Sequence, residues 1–399
     1  MATDGYFSNG YGTQCKAMAG ACAAVSNDSM ASASNPAAMF WAGKRFDLGL
    51  NFFNPNRDFT VTGNPSGYPG TFGLAPGKVE SDSKLFLIPS FGANWRVREN
   101  TTFGVSMYGN GGMNTNYPAP VFGQKPTGVN LSQMFVTPTV AQRFGGRHSV
   151  GLTAIMAYQR FKAEGLGAFG MFSSDPAKLS NVGTASSMGV GGKFGYLGNL
   201  SQYISVGGYY QTKVLMSKFD KYAGLFAQQG DFDIPAAFSG GVNLKLLKNM
   251  SVSADVERIQ YSGVKSISNP MLPNLMMAKL GMDNGAGFGW KDITVGRFGV
   301  QFTPARTWTI RGGFSTGGQP IPNTEVMFNI LAPGVVTKHA TFGVTHGLGG
   351  GKLLHVAVVR AFSESVTGLN PLDPPAGQYV KLHMNQWEFE VGFSFGVKR

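Results

Sequence analysis

The feature that most constrains the fold of this chain is a regular alternation of short and long connections between strand-like segments. Fourteen segments alternate apolar and polar side chains, as a strand with one apolar face does. They are residues 44–54, 84–97, 101–111, 130–143, 148–162, 187–197, 202–214, 234–245, 250–262, 290–303, 306–317, 337–347, 352–364 and 384–397. Six very short connections alternate with seven long ones. A soluble β-sandwich has no reason to keep this asymmetry, so the pattern favours a transmembrane barrel, whose short turns and long loops lie at opposite ends.

The last of these segments shows what the two faces of each strand are expected to meet. Trp387, Phe389 and Val391 share one face, and Glu388 and Glu390 share the other. In a bilayer the apolar face meets lipid and the polar face meets the barrel interior. Closing the sheet also satisfies every backbone hydrogen bond within the lipid. We therefore predict an all-β fold, a 14-stranded antiparallel transmembrane β-barrel.

The composition also favours a barrel over a helical membrane protein. Charged residues make up 14% of the chain, against about 25% in soluble domains, while Gly (57) and Phe (31) are plentiful. No run of 18 or more apolar residues exists, which excludes a transmembrane helix. The formal net charge of +12 is spread thinly and forms no basic run with interleaved aromatic residues, so nucleic acid is not an expected partner.

Residues 1–43 differ from the rest of the chain because they are small and polar and show no strand alternation. Fourteen strands enclose more space than an eight-stranded barrel, whose interior side chains can fill, so something must occupy this one. We expect residues 1–43 to form an N-terminal hatch that plugs a barrel of residues 44–399. Cys15 and Cys22 both lie in the hatch, and the sequence leaves open whether they pair. No secretory signal is visible, and we expect it to have been removed.

Motifs for catalysis or metal binding are weak in this sequence. Residues 165–170 match the GxGxxG spacing but lack the strand, the helix and the acidic residue that phosphate binding requires, so a glycine-rich loop is expected. No metal-ligand spacing occurs among His148, His339, His346, His355 and His383. No serine lies in a GxSxG elbow. A hydrolase with scattered catalytic groups is left open, but no pattern requires one, so we expect no enzymatic activity, no cofactor and no metal.

A series of different short motifs occurs in a characteristic order along nearly the whole chain. The first are Gly10-Tyr11-Gly12, Ala19-Gly20-Ala21, Asn27-Asp28 and Asn35-Pro36-Ala37. They continue with residues 103–111, Tyr158-Gln159-Arg160-Phe161-Lys162, Ile234-Pro235, Ser239-Gly240, Trp290-Lys291-Asp292, residues 308–313 and Pro320-Ile321-Pro322. In this order and spacing the motifs resemble the FadL family of outer-membrane transporters for long-chain fatty acids and other hydrophobic compounds. The resemblance implies a bacterial outer-membrane barrel with an N-terminal hatch.

The resemblance further implies a sideways exit for the ligand, through an inward kink of the third strand. The residues expected at this kink are Gly109, Asn110, Gly111 and Gly112. Apart from the resemblance, glycine inside a strand often marks a bulge or a bend. The alternative interpretation is that the third strand simply ends at these glycines and its loop begins.

The Asn35-Pro36-Ala37 tripeptide is expected to form a rigid bend in the hatch, because proline fixes φ and asparagine caps turns. The C-terminus departs from the family pattern. Such barrels usually end on an aromatic residue, whereas this chain ends in Val397-Lys398-Arg399. Either Phe395 takes that role or the true terminus lies further on.

Candidate ligand-binding residues lie on one strand and in two loops. On the strand they are Arg160, Phe161 and Lys162, where the resemblance implies an arginine in the binding site. In the loops they are Met216, Phe219, Leu225, Phe226, Met276 and Met277, because exposed apolar loop surface is costly unless it packs or binds something apolar. The orientation of Arg160 stays open. It shares the even, lipid-facing positions of Val150 and Leu152, so it points inward only across a bulge and otherwise meets lipopolysaccharide at the rim.

The expected function is passive uptake of hydrophobic molecules, which enter from the long loops and leave through the wall. The alternatives are a non-specific porin and a surface adhesin-type barrel. We expect a monomer that contacts outer-membrane lipids and lipopolysaccharide. Whether the cargo is a long-chain fatty acid or an aromatic or aliphatic hydrocarbon is left open.

Overall fold

A computed structural model describes residues 4–396, and within them fourteen long antiparallel strands form a closed barrel. The strands are β1 (Arg45–Thr62), β2 (Phe86–Arg98), β3 (Thr101–Asn114), β4 (Gly128–Phe144), β5 (His148–Glu164), β6 (Ala185–Asn199), β7 (Ile204–Gln211), β8 (Ala237–Leu247), β9 (Met250–Ile259), β10 (Ile293–Ala305), β11 (Trp308–Gly317), β12 (Lys338–Gly349), β13 (Lys352–Leu369) and β14 (Tyr379–Phe395). Each pairs with its neighbours in sequence, and β14 pairs with β1 from Phe46 opposite Phe395 to Thr62 opposite Tyr379, which closes the barrel. Two short strands, Gly77–Glu80 and Leu215–Met216, extend the sheet beside β1 and β6. The predicted fold class is confirmed.

The predicted alternation of connections is present, but several strands are longer than expected. The barrel has short turns at one end, the short-turn end, and its long connections at the other, the long-loop end. β1 continues to Thr62 instead of residue 54, and β13 to Leu369 instead of 364. The extra length of β1 carries polar residues such as Asn56 and Thr62 on the outward face. The apolar–polar alternation therefore stops although the hydrogen-bonded ladder does not. The predicted end of the last strand at Val397, and the terminal Lys398 and Arg399, lie outside the described residues.

Side chains sort onto the two faces of the wall as the alternation predicts. On β5, Leu152 is 64% exposed, whereas its neighbour Thr153 is 4% exposed. On β14, Phe389 is 44% exposed and Glu388 2%. The outward face is thus apolar and the inward face largely polar, except beneath the long loops.

Residues 4–43, the N-terminal segment, fold into short helical turns with polar links to the wall. The turns are Thr13–Lys16, Ala31–Ser34, Pro36–Ala38 and Met39–Ala42, and a disulfide joins Cys15 to Cys22. The segment has polar contacts with strands spaced around the barrel. Asp4 contacts Arg297 on β10, Lys16 contacts Glu388 on β14, and the Asn35 side chain donates to a β6 carbonyl.

The long connections form a layer over the long-loop end. Its helical turns are Gly167–Phe172, Pro176–Lys178, Asp220–Tyr222, Ala227–Gly230, Tyr261–Gly263, Lys265–Ser268, Asn274–Met277, Asn323–Glu325, Val326–Asn329 and Pro374–Ala376. The glycine-rich stretch at residues 165–170 lies in this layer and not at a strand-to-helix junction. Among the residues that the structure describes, no helix has the length and apolarity that crossing a bilayer demands.

Candidate functional site

An apolar cavity of about 40 Å³ lies beneath the long connections. It is lined by Val129, Phe161, Leu166, Phe169, Leu225, Phe226, Ser266, Leu280, Ala286, Gly287, Phe288, Phe328 and Leu331. An engineered cavity of roughly 150 Å³ is known to bind benzene, so this one is too small for an aromatic ring without side-chain movement. Its lining is aromatic and aliphatic apart from one serine, which suits an apolar ligand.

Three of the predicted ligand-binding residues, Phe161, Leu225 and Phe226, line this cavity, and a fourth, Phe219, packs against them. The rings of Phe161 and Phe226 lie 4.7 Å apart between centroids, and the Phe219 ring lies 5.7 Å from that of Phe161. Leu225 lines the cavity beside them. β5 aims Phe161 inward, and the connection between β7 and β8 supplies the other three.

Arg160 and Lys162 do not belong to this group, because both lie on the outward face of β5. The register of β5 runs without a shift from His148 opposite Gly198 to Phe161 opposite Ala185. No bulge therefore turns Arg160 inward, and its side chain is exposed. The Lys162 Nζ atom instead forms an ion pair with Glu164 at 2.7 Å. Of the two orientations left open for Arg160, the structure has the outward one, and neither Arg160 nor Lys162 lines the cavity.

The three methionines also lie away from the cavity. Met216 is buried where its short strand pairs with Gly189 of β6, but it does not line the cavity. Met276 and Met277 are 63% and 80% exposed, because the turn that carries them buries Leu275 instead. The sequence identified an apolar loop but not which of its side chains point inward.

A series of aromatic rings leads from the cavity to the N-terminal segment. Phe226 lies 4.8 Å from Phe232, and Phe232 lies 6.4 Å from Tyr6, between ring centroids. The rings of Tyr261 and Trp290 flank Tyr6 at 5.5 and 6.0 Å. Tyr6, Phe232 and Tyr261 were missed as site residues because no local pattern connects them. Trp290 belongs to one of the motifs shared with the family, and this motif was the one sequence feature that could have identified it as a site residue.

Burial raises the pKa of three side chains in this layer. Burial raises the pKa of Tyr261 well above its ordinary value, and burial raises the pKa of Tyr222 as well. Burial likewise raises the pKa of Glu325, a loop carboxyl that accepts a hydrogen bond from the Met271 N–H at 2.8 Å. These groups hold the layer together through hydrogen bonds: Tyr222 donates to the Gly183 carbonyl and Tyr261 to the Asp4 carbonyl.

β3 carries a bulge at Asn110, next to Tyr6. Gly109 pairs with Met134 of β4 and Gly111 with Gln133, so Asn110 is the extra residue. The Gly112 N–H donates to the Tyr6 carbonyl at 3.2 Å, and the Asn110 carbonyl accepts from the Ser8 N–H at 3.1 Å. A Cβ atom at Gly111 would lie 2.2 Å from the Tyr6 carbonyl oxygen, so only glycine permits this approach.

The hydrogen-bonded ladder between β2 and β3 stops on the short-turn side of this bulge. Its last pair toward the long-loop end is Phe91 opposite Met107, and residues 86–90 and 108–114 do not pair with each other. β2 carries Pro89 in this stretch, a residue without an N–H to donate, which sheets accept at edges. A cavity of about 20 Å³ lies where the strands part, lined by Ser8, Gly10, Tyr11, Gly12, Lys16, Asn51, Ile88, Pro89, Ser90, Tyr108, Gly109 and Glu390.

The Asn35 bend fits against glycines of β5 and β6. The Asn35 amide donates to the Ala23 carbonyl at 2.6 Å and to the Tyr196 carbonyl at 2.9 Å, and its Oδ1 accepts from the Ala37 N–H at 3.0 Å. A Cβ atom at Gly195 would lie 2.2 Å from Asn35 Oδ1. The sequence predicted a bend at this tripeptide but not which strands it meets.

Buried ion pairs connect the N-terminal segment to two further strands. The Lys16 Nζ atom lies 2.8 Å from Glu388 and 3.0 Å from Glu390, both on β14. Arg297 on β10 contacts Asp4 at 2.6 Å and Glu257 at 2.5 Å. All six side chains are less than a tenth exposed. Within residues 4–396, no group of His, Cys, Asp and Glu is arranged to hold a metal ion.

Solved structures of similar fold span the whole chain. The toluene transporter TodX of P. putida has a TM-score of 0.72 at 17% identity, covering 98% of this chain and 99% of its own. A FadL homologue of Pseudomonas aeruginosa has a TM-score of 0.72 at 15% identity, covering 99% and 100%. The toluene transporter TbuX of Ralstonia pickettii has a TM-score of 0.66 at 16% identity, covering 98% and 99%. At these identities the likeness concerns the fold.

A comparison with curated proteins gives no match. The sequence does, however, match a model of a protein family. Residues 8–366 match the model described as "Outer membrane protein transport protein (OMPP1/FadL/TodX)". This match covers most of the barrel and nearly all of the N-terminal segment, and the FadL resemblance read from the motifs is confirmed. The chain therefore belongs to the OMPP1/FadL/TodX family of outer membrane transport proteins.

Proposed function

We propose that the chain carries hydrophobic molecules passively across the outer membrane. The observation that carries this proposal is the aromatic series between the cavity and the β3 bulge, within a barrel of a transport family. Phe161, Phe226, Phe232 and Tyr6 form an apolar path in an otherwise polar interior. Transport along this path needs no chemical step and no cofactor.

In this proposal the ligand enters at the long-loop end and leaves sideways through the wall. Residues 109–112 form the bend, and the opening lies between the stretches of β2 and β3 that do not pair with each other. A sideways exit keeps an apolar cargo out of water, because it passes from the aromatic path directly into lipid. The N-terminal segment acts as the hatch below the path, with Asn35, Pro36 and Ala37 holding it against β5 and β6.

The cargo is an apolar small molecule, in keeping with the cavity lining. The structural relatives are described as toluene transporters and as a FadL homologue, so aromatic hydrocarbons and long-chain fatty acids are the two cargo classes to compare. The molecule works as a monomer whose outward face meets lipid. Arg160 and Lys162 lie on that face and meet the anionic groups of lipopolysaccharide.

A non-specific porin is the alternative function, and liposome swelling separates it from the proposal. Small sugars pass freely through an open aqueous lumen, whereas in this proposal residues 4–43 act as a hatch held by ion pairs to β14 and β10. We expect swelling in arabinose to stay near that of empty liposomes. Swelling as fast as that of a porin of known open lumen would contradict the proposal and favour the porin.

The direct test of cargo is uptake by cells that lack their own hydrophobic channels. Cells expressing the chain are given labelled toluene in one arm and labelled oleate in the other. We expect faster initial uptake than in empty-vector cells for at least one cargo. Vector-level uptake of both, with normal barrel in the outer membrane, would contradict the proposed function.

A further inference from the structure

Three side chains on the outer surface of the barrel form a hydrogen-bonded chain that transport does not use. The Oγ atom of Ser363 lies 2.7 Å from His383 Nε2, and His383 Nδ1 lies 2.7 Å from Asp58 Oδ2. With the proton on Nδ1, the ring donates to the carboxylate and accepts from the serine hydroxyl. This is the arrangement in which a histidine takes the proton of a serine nucleophile while a carboxylate orients it.

Three neighbouring strands bring these residues together. Asp58 on β1 is directly opposite His383 on β14. Ser363 lies in a β13 bulge, because Ala361 pairs with Gln386 but the next pair is Glu364 with Met384. Without the bulge, strict alternation would turn Ser363 to the same inward face as Ala361. Bulges re-aim side chains in this way and are over-represented next to active sites.

The environment of the chain suits a reaction at the membrane boundary. Ser363 is exposed, His383 is about a quarter exposed and Asp58 is buried beneath them. The Lys78 Nζ atom lies 3.5 Å from Asp58 Oδ2 and places a positive charge beside the carboxylate. The bulge lies about two residues, roughly 7 Å of strand, beyond the outward Trp387. An aromatic side chain there marks the upper limit of the apolar band.

We propose that Ser363, His383 and Asp58 form a hydrolytic site for carboxylic esters of amphiphiles held at this boundary. The acyl chain lies along the apolar band, and the ester carbonyl reaches Ser363 from the lipid side. A bulge leaves its extra residue outside the regular ladder, so we assign the oxyanion to a backbone N–H at residues 362–363. This site is separate from the aromatic path, which lies on the other face of the wall.

The reaction balances with water as the only co-reactant. Ser363 Oγ bonds to the carbonyl carbon while its proton moves to His383 Nε2. The ester C–O bond then breaks, and the leaving alcohol takes that proton. Water adds to the acyl-serine in the same manner, its proton again passing through His383. The products are a carboxylic acid, an alcohol and the regenerated serine.

Covalent labelling tests the nucleophile directly. The full chain in detergent micelles is treated with an alkyl fluorophosphonate, and the adduct is located by mass spectrometry. We expect one adduct on Ser363 of the wild-type protein, no adduct at this strand in Ser363→Ala, and labelling at least about 100-fold slower in His383→Ala. Ser365→Ala is the matched control, because Ser365 lies on β13 like Ser363 and is opposite His383 in the register, but the hydroxyl that bonds to His383 is that of Ser363. Its labelling should match that of the wild type.

Hydrolysis of a p-nitrophenyl ester in the same micelles supplies the second readout. We expect Ser363→Ala to lower kcat by at least about 100-fold. Asp58→Asn should lower kcat and leave KM unchanged, because the carboxylate positions the histidine without touching substrate. Heat-modifiable mobility on gels checks that each variant is folded. A wild-type protein without a Ser363 adduct, or hydrolysis that survives in folded Ser363→Ala, would overturn the proposal. Uptake of hydrophobic cargo should be equal in wild type and Ser363→Ala, so this test is independent of transport.

Discussion

Adjacent residues on one strand have opposite environments in this barrel, and Arg160 and Phe161 on β5 show the consequence. The register of β5 is unbroken, so Arg160 faces outward and Phe161 lines the apolar cavity. A guanidinium is therefore not available to a ligand in the cavity. The side chains that line the cavity are mainly aromatic and aliphatic, so they interact with a cargo through contact area and, at the phenylalanines, through ring geometry.

The first prediction compares Arg160→Ala with Phe161→Ala. Phe161→Ala removes a ring within 4.7 Å of those of Tyr222 and Phe226 between centroids, so it should weaken binding of a fluorescent hydrophobic probe by at least about tenfold. It should also lower the free energy of unfolding by about 3–5 kcal/mol, the usual cost of emptying a core site. Arg160→Ala should change neither quantity. Weaker probe binding in Arg160→Ala than in Phe161→Ala would contradict the assigned orientation.

The second prediction concerns Asn35, whose side chain makes three hydrogen bonds. Asn35→Ala leaves buried backbone groups without partners, which costs about 1–3 kcal/mol, so amide exchange near Ala37 should accelerate roughly 5- to 150-fold. Hydrophobic uptake should fall while the barrel stays folded by heat-modifiable mobility. Asn27→Ala is the control, since the Asn27 amide meets only the Met18 sulfur, at 3.8 Å. Equal exchange in the two variants would remove the role assigned to the bend.

The sequence predicted the local conformation of these residues but not the distant residues that they contact. The turn-forming character of Asn35 and Pro36 could be read directly from residue type. The glycines that receive the bend, and the pairing of Lys16 with Glu388 across 372 positions, could not be read, because no local pattern links such distant residues. The proposed Ser363 site was missed for the same reason, because its three residues lie on three different strands. In addition, Ser363 faces outward because of a bulge, which strand alternation does not predict.

At the scale of elements, strand alternation predicted the number and order of the barrel strands well. It predicted poorly where β1 and β13 end at the long-loop end. The outward residues within the lipid are apolar and those above it are polar, so the predicted strands ended where the lipid ends and not where the ladder does. The N-terminal segment was recognised by its small residues, but its helical turns of three or four residues are too short to show a period. Buried ion pairs connect that element to β14 and β10.

The third prediction tests these ion pairs through Lys16. Lys16→Met leaves Glu388 and Glu390 facing each other without a cation, and breaking a buried pair costs about 3–5 kcal/mol. We expect the N-terminal segment to loosen and liposomes to swell faster in small sugars. The triple variant with Glu388→Gln and Glu390→Gln removes the uncompensated charge and should swell slowly again. Fast swelling in the triple variant, or none in Lys16→Met, would count against an electrostatic hold on this segment.

At the scale of the whole molecule, the two faces of the wall are proposed to do different work. The inner face leads from the cavity under the long loops, along the aromatic series, to the gap between β2 and β3. The outer face carries the Ser363 site on β13, β14 and β1. The barrel order places β1 next to β2, so the hydrolytic site and the proposed opening lie on the same side of the barrel.

In the proposed route, cargo leaves through the wall where the Asn110 bulge interrupts β3. The most direct measurement is the initial rate of uptake of a labelled hydrophobic cargo by cells expressing the wild-type chain, a variant lacking Asn110, or Asn110→Ala. Deleting Asn110 removes the extra residue and restores a regular register with β4, whereas Asn110→Ala keeps the bulge and loses only the side-chain bonds to Tyr11 and Gln133. We predict vector-level uptake for the deletion and substantial uptake for Asn110→Ala, with both variants folded in the outer membrane and still binding the fluorescent probe. Wild-type uptake by the folded deletion variant would contradict a lateral exit at this bulge.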